Sequence, residues 1–123
     1  MRCSLKTILT CCLIAAALNT IFAQDPVKLS PQFYKVLIDN DEMRVLEFHF
    51  KPGEKEPMHS HPRGFVYALT DAKLKITFPD GKTEEIAVKT GDARWRDPVT
   101  HMTENIGTAE ARALAVELTK PIK

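Results

Sequence analysis

From residue 34 onward, the sequence is divided into short apolar or alternating segments by residues that favour turns. This pattern constrains the fold more than any other feature. Successive side chains of a β-strand point to opposite faces, so alternation of apolar and polar residues predicts strands. Turn residues between the segments, such as Pro79-Asp80-Gly81, predict tight connections. Strands are predicted over residues 34–39, 43–50, 64–70, 73–78, 82–88, 93–96, 101–106 and 111–118.

Strands at this spacing are typical of an all-β sandwich or barrel. The segment 111–118 is ambiguous, because its composition also suits a helix. The alternation of Leu114, Val116 and Leu118 favours a strand. With 123 residues, the chain can form one domain with one modest core. We therefore predict a single all-β domain over residues 40–120, preceded by an N-terminal segment and first strand over residues 24–39.

Residues 1–23 have the three-part pattern of a cleaved signal peptide. Arg2 and Lys6 precede an apolar run, and the small residue Ala23 precedes a polar change at Gln24. The alternative is a retained anchor, although the apolar run is shorter than the ~20 residues that span a bilayer. We expect a secreted or periplasmic protein with no stable membrane anchor after cleavage. Cleavage also removes every cysteine of the chain, namely Cys3, Cys11 and Cys12.

The charge and the motifs of the remaining chain exclude several function classes. The segment 1–23 holds two of the 17 basic residues and none of the 16 acidic ones, so its removal changes the net charge from +1 to −1. A near-neutral chain without a basic stripe gives no support for nucleic-acid binding. The sequence has no G-x-S-x-G and no glycine-rich phosphate loop, and residues 24–123 contain no cysteine nucleophile. The candidate chemistry therefore depends on the histidines.

Two histidines in the stretch MHSHP, His59 and His61, are two residues apart. On a strand, side chains at this spacing point to the same face, so one metal ion could accept both imidazoles. A surface or core histidine pair remains the alternative on this spacing alone. The other histidines of the chain are His49 and His101.

Two stretches in order along the chain resemble the two motifs of the cupin superfamily. The first has the form G-x5-H-x-H, and the second ends in H-x3-N. The matching residues are Gly53, His59, His61, Gly91, Pro98, His101 and Asn105. The resemblance covers roughly residues 40–118 and is similar to small single-domain bacterial cupins, including those of β-alanine degradation type. It implies a jelly-roll-like antiparallel β-barrel.

The resemblance also implies that His59, His61 and His101 bind a divalent metal cation. Ligand type alone does not distinguish Fe, Zn, Ni, Mn and Cu. The glutamate of the first cupin motif would fall at Phe65 or Val66, and neither side chain can bind a metal. Two interpretations follow: a three-histidine site similar to that of three-histidine cupin dioxygenases, or a barrel that has lost its metal and binds a small molecule.

Glu47 and Tyr67 are weak catalytic candidates. The apolar face of the segment 43–50 favours an outward position for Glu47, whereas an inward position would make it an acid–base group near the metal. Tyr67 could project into the cavity or pack in the core. Arg94 and Arg96 are two residues apart on one predicted strand. They could clamp a carboxylate between them, or they could form the solvent-facing side of that strand.

We expect an exported small cupin that binds a divalent metal through three histidines and acts on a small polar organic molecule. A metal-dependent oxygenase is the leading enzyme class. The alternative is a non-catalytic cupin that binds or senses a small molecule, with or without metal. A homodimer is expected from the resemblance alone.

Overall fold

The computed structural model describes residues 24–120. One short helix, α1 (Pro26–Leu29), precedes the strands of two antiparallel sheets. The helix has four residues, and the described residues contain no helix long and apolar enough to cross a membrane. The strands are β1 (Tyr34–Asp39), β2 (Met43–Phe50), β3 (His59–His61), β4 (Gly64–Ala68), β5 (Ala72–Thr77), β6 (Thr83–Val88), β7 (Ala93–Arg96), β8 (Val99–Asn105) and β9 (Ala111–Leu118).

The strand order mixes distant parts of the chain. The five-stranded sheet has the order β1-β2-β9-β4-β7, and the four-stranded sheet has the order β3-β8-β5-β6. Every pair is antiparallel. The sheets are not joined into a closed hydrogen-bonded barrel, but they enclose a common interior, as in a jelly roll. The prediction of an all-β, jelly-roll-like fold is confirmed.

The predicted strands agree with the structure, with small differences at their ends. The segment 111–118 is a strand, as its alternation predicted. The structure adds β3, which is only three residues long, and β8 begins at Val99 rather than at His101. The predicted signal peptide lies outside the described residues and stays a prediction. β1 pairs with β2, so the predicted first strand extends the five-stranded sheet.

Apolar side chains from both sheets form the core. Phe50 of β2 and Ala111 of β9 meet Leu74 and Ile76 of β5 in one buried cluster. Phe33 packs its ring edge-on against Phe50, with 4.7 Å between ring centroids. Removal of this apolar surface from water is the main force that holds the sheets face to face.

Small residues on β9 leave space inside the barrel. Ala111, Ala113 and Ala115 are buried on one face, and Glu117 continues the same face. Beside them, a Cβ atom on Gly64 would lie 1.8 Å from the carbonyl oxygen of Val116. Only glycine fits where β4 approaches β9 so closely. The interior next to β9 is therefore open enough for a polar site.

Candidate metal centre

Two strands of the four-stranded sheet bring the three motif histidines together. His59 and His61 point from the same face of β3, because Ser60 between them takes the other face. Both histidines are buried. His101 of β8 is the register partner of His59. One ring nitrogen from each histidine can be chosen so that all lie within 4.8 Å of one another. The three side chains could therefore hold a metal ion.

The hydrogen bonds of two histidines determine which nitrogen faces the centre of the cluster. His59 Nδ1 donates to the carbonyl of Pro57 at 2.9 Å, and His61 Nδ1 donates to Glu117 Oε1 at 2.6 Å. Since a neutral imidazole has one N–H, both Nε2 atoms carry a lone pair. These two Nε2 atoms lie only 2.9 Å apart.

Two lone pairs this close repel one another unless a proton or a cation lies between them. Two imidazole nitrogens that would each lie at about 2.0–2.1 Å from one ion would be about 3 Å apart. The observed separation therefore fits two ligands of one metal ion.

Burial keeps the cluster in the form that binds metals. Burial lowers the pKa of His59 to about 4. Burial, the neighbouring imidazoles and Arg96 lower the pKa of His101 to about 3. The pKa of His61 is also lowered, chiefly by burial. All three rings are therefore neutral near pH 7, which is the state a metal ligand requires.

A chain of charged groups, from the buried Glu117 to the partly exposed Arg44 and Asp25, fixes the ring of His61. Glu117 is 1% exposed, and its second oxygen, Oε2, accepts from Arg44 Nε at 2.8 Å. Arg44 in turn donates to both carboxylate oxygens of Asp25, at 2.8 and 3.0 Å. Burial raises the pKa of Glu117, but His61 and Arg44 outweigh it and hold the pKa below its usual value. Such outer partners orient a ligand histidine and make it more basic.

A second buried carboxylate lies beside the cluster and was not singled out in the sequence. Glu56 Oε1 is 3.4 Å from His59 Nε2, and Glu56 Oε2 accepts from the hydroxyl of Tyr34 at 2.6 Å. Burial raises the pKa of Glu56 to about 7, against hydrogen bonds from Tyr34 and Thr103 and the charge of Arg96. The sequence signal was the position of Glu56, three residues before His59 in the segment that leads into β3.

The cluster opens into a cavity of about 340 Å³ between the sheets. His61, His101, Glu56 and Arg96 contribute polar groups to its lining. The apolar part of the lining includes Phe48, Phe50, Val66, Leu74, Ile76 and Ile86. A mostly apolar cavity with a few convergent polar groups is typical of a small-molecule site.

Arg94 and Arg96 of β7 both line the cavity but differ in exposure. The Arg96 side chain is 14% exposed, and no residue between 24 and 120 provides a hydrogen-bond partner for its Nε and Nη2 atoms. The Arg94 side chain is 52% exposed and lies 3.9 Å from Asp92. Arg96 therefore belongs to the interior, and Arg94 to the rim.

The weak catalytic candidates lie away from this cavity. Glu47 accepts hydrogen bonds from Arg112, and its neighbour on the same face, His49, contacts Glu110. Tyr67 is 40% exposed. Neither Glu47 nor Tyr67 is part of the cavity lining.

The motif asparagine has a structural position. Asn105 is fully buried. Its amide donates to the carbonyls of Phe50 and Ala109, and its side-chain oxygen accepts from the backbone N–H of Gly107. Asn105 therefore holds the β8–β9 connection against β2.

Two facing antiparallel sheets with three inward histidines, two on one strand and one on its neighbour, define a cupin barrel. Solved structures support this class. A cupin domain from Bordetella pertussis superposes with a TM-score of 0.65 at 26% identity, over 71% of this chain and 92% of that one. A conserved Klebsiella pneumoniae protein with a double-stranded β-helix domain gives a TM-score of 0.58 at 19% identity, over 70% of this chain and 75% of that one.

An enzyme is also among the similar structures. The polyketide cyclase RemF from Streptomyces resistomycificus has a TM-score of 0.53 at 26% identity, over 71% of this chain and 64% of its own. No family model matches the sequence, and no curated protein matches it significantly. The chain has the cupin fold, and its similarity to the Bordetella pertussis cupin domain at 26% identity supports the cupin superfamily. The narrower similarity to β-alanine degradation cupins stays a prediction.

Proposed function

We propose that the protein binds one divalent transition metal through His59, His61 and His101 and acts on a small organic molecule in the barrel cavity. The observation that carries this proposal is the convergence of the Nε2 atoms of His59 and His61, 2.9 Å apart, with both Nδ1 atoms already bonded elsewhere. A metal held by three neutral imidazoles keeps its full charge and has open positions for substrate.

An oxygenase is the enzyme class that we propose. A redox-active ion such as iron would supply the chemistry that activates dioxygen, and the protein supplies the surroundings. The apolar walls offer contacts to an organic molecule, and Glu117 holds the ring of His61 in place. Glu56 provides a carboxylate oxygen beside the cluster, from a part of the chain different from the family's motif glutamate. The similarity to a polyketide cyclase supports an enzymatic use of such a cavity.

A non-catalytic binding module is the second candidate. It is favoured by the same mostly apolar cavity, which can hold a small molecule without any reaction. The two candidates share a fold, and the fold does not decide between them.

Metal content and oxygen consumption test the proposal. Elemental analysis of protein purified without added metal or chelator is expected to find about one equivalent of a transition metal. The iron-loaded protein is then supplied with a panel of small organic acids and thiols in an oxygen electrode. Oxygen consumption matched by product supports the oxygenase. Bound metal and ligand without consumption support the binding module. Failure to bind metal even after reconstitution rejects the metal site and the oxygenase and leaves a ligand-binding barrel.

We also propose that the protein is exported and that it forms a homodimer. Export is supported by the signal-like pattern of residues 1–23, and the dimer by the family resemblance. Detection of a chain beginning at Gln24 in the extracytoplasmic fraction tests the first. A light-scattering mass twice that of the chain tests the second.

A further inference from the structure

One charged group in the cavity has no role in the site described so far. The guanidinium of Arg96 is buried, yet its Nε and Nη2 atoms make no hydrogen bond within the part of the chain that the structure describes. A buried N–H that loses water without gaining an acceptor costs free energy, and the cost is higher for a charged group. A hydrogen-bond acceptor next to these N–H groups of Arg96 would remove this cost.

The nearby carboxylates are engaged with other partners. Glu117 Oε1 is 3.9 Å from Arg96 Nη2, which is too far for a hydrogen bond, and it accepts from His61 instead. The other oxygen of Glu117 accepts from Arg44. Glu56 Oε2 accepts from Tyr34, and Glu56 Oε1 lies next to His59. The described residues thus surround Arg96 with acidic groups but leave its donors without a bonded anion.

The Arg96 guanidinium, which lacks an acceptor among the described residues, lines the same cavity as the histidine cluster. Arg96 lines the same cavity as His61 and His101. Glu117 connects the two, because one of its oxygens contacts His61 and is also the oxygen nearest to Arg96. A molecule bound to Arg96 would therefore lie within the cavity that contains the histidines.

We propose that Arg96 binds the carboxylate of the small molecule that occupies this cavity, and this inference rests on the proposed function for the metal beside it. The planar fork of a guanidinium matches the two oxygens of a carboxylate. Because Glu117 already places a negative charge near Arg96, a carboxylate, which adds one negative charge, suits the cavity better than a phosphate ester, which adds more. The rest of the molecule lies against the apolar walls. The ligand class is thus a small organic acid with a mostly apolar body.

The test uses two probes of nearly equal shape, butyrate and its neutral amide butanamide. Both are titrated into the full-length protein by calorimetry, in a chelator-treated form and in a metal-loaded form. We expect the metal-free wild type to bind butyrate about tenfold more tightly than butanamide, because hydrogen bonds to a charged group exceed those to a neutral one. Inorganic phosphate is a third probe and is expected to bind less tightly than butyrate.

Arg112 offers a control, because it is an exposed arginine of β9 that pairs with Glu47 and does not line the cavity. Arg96→Gln is expected to abolish the preference for butyrate, and Arg96→Lys to keep only part of it. Arg112→Gln is expected to retain it. A melting curve for each variant checks folding. If Arg96→Gln does not fold, the wild-type comparison and Arg96→Lys decide the question.

Several outcomes would overturn the inference. They are equal binding of butyrate and butanamide by the wild type, no binding of either, tighter binding of phosphate than of butyrate, and a preference that persists in Arg96→Gln. The two proposals fail separately. A carboxylate preference in a protein that binds no metal would retain Arg96 and reject the metal site. Metal binding without a carboxylate preference would do the reverse.

Discussion

The same pair of residue types occurs inside and outside the barrel, with different consequences. Inside, His61 and Glu117 lie 2.6 Å apart, with side chains 4% and 2% exposed. Outside, His49 and Glu110 lie 2.8 Å apart, with side chains 43% and 53% exposed. The distances are nearly equal, so distance does not separate the two pairs. Water screens the outer pair and competes for its hydrogen bonds, whereas no bulk water can replace either partner of the inner pair.

The inner pair also has neighbours that the outer pair lacks. The ring of His61 faces His59 and His101, and Arg44 holds the carboxylate of Glu117 from behind. A histidine–carboxylate contact alone is therefore not evidence for a site. What distinguishes the inner pair is the convergence of further rings on a buried point.

Removal of a histidine should produce the largest contrast between the two regions. We expect His101→Ala to lose nearly all bound metal, because two remaining imidazoles on β3 give an incomplete set of ligands. His49→Ala should retain the metal content of the wild type. Elemental analysis of both variants, purified in parallel, makes the comparison. Equal metal contents in the two variants would refute the assignment of the site.

Removal of the carboxylate should give the next largest effect. Glu117→Gln is expected to weaken metal binding about 10–100-fold, since an outer partner orients and polarises its ligand. It should also lower the free energy of unfolding by about 2 kcal/mol, the scale of a buried hydrogen bond to a charged group. Glu110→Gln should change neither quantity measurably. Metal titration and urea denaturation provide the measurements; similar effects of the two substitutions would contradict the role of burial.

Acid should destabilise the metal-free protein through the inner histidines. The folded-state pKa values of His59 and His101, about 4 and about 3, lie below the ordinary value of 6.5. Below about pH 6.5 these histidines bind protons in the unfolded chain but stay neutral in the folded chain. The free energy of unfolding therefore decreases as the pH falls, until the pH reaches the folded-state pKa values. Urea denaturation between pH 7 and pH 4 measures this loss. His101→Gln should give a flatter curve, and an unchanged curve would exclude His101 as a source.

Glu56 should oppose part of this acid effect. Its folded-state pKa of about 7 lies above the ordinary 4.5. Between these values the folded chain holds a proton that the unfolded chain has released, so Glu56 favours folding as the pH falls. Glu56→Gln should therefore steepen the loss of stability on acidification in the same denaturation series.

The smallest effect is expected for the outer candidate Glu47. Its carboxylate pairs with Arg112 on the surface of the sheet, where ion pairs contribute little. Glu47→Gln should leave the metal content unchanged and the unfolding midpoint nearly so. Loss of metal or of activity in this variant would show that the outer face participates in the site.

Local patterns in the sequence were sufficient to predict most of the fold. Alternation and turn residues located the strands and favoured a sandwich or barrel, and the resemblance of the two histidine motifs to those of cupins implied the jelly-roll-like barrel. The three-residue strand β3 was not delimited, because it is too short to show alternation and depends on pairing with β8. In β9 the alternation was recognised from the larger residues, whereas the buried face is the one that carries the alanines and Glu117.

The candidate site was predictable only in its histidines. Glu117 is 56 residues from His61 along the chain, and the contact arises because β9 lies in the facing sheet. Glu56 is close in sequence, but nothing local indicates that it is buried and hydrogen-bonded to Tyr34 and Thr103. Similarly, the Arg-x-Arg spacing of Arg94 and Arg96 did not show which of the two side chains lies inside the barrel. Such contacts depend on tertiary packing, which a linear pattern does not encode.

The position of β3 at the edge of its sheet has a consequence for local opening. β3 has three residues and one strand partner, β8, so few backbone hydrogen bonds hold it. An ion bound by His59, His61 and His101 would cross-link this edge to its neighbour. Amide protons of β3 and β8 should then exchange with deuterium much more slowly when metal is present, while those of β6 at the opposite edge keep their rates. The metal site would thus also stabilise the edge strand β3 against local unfolding.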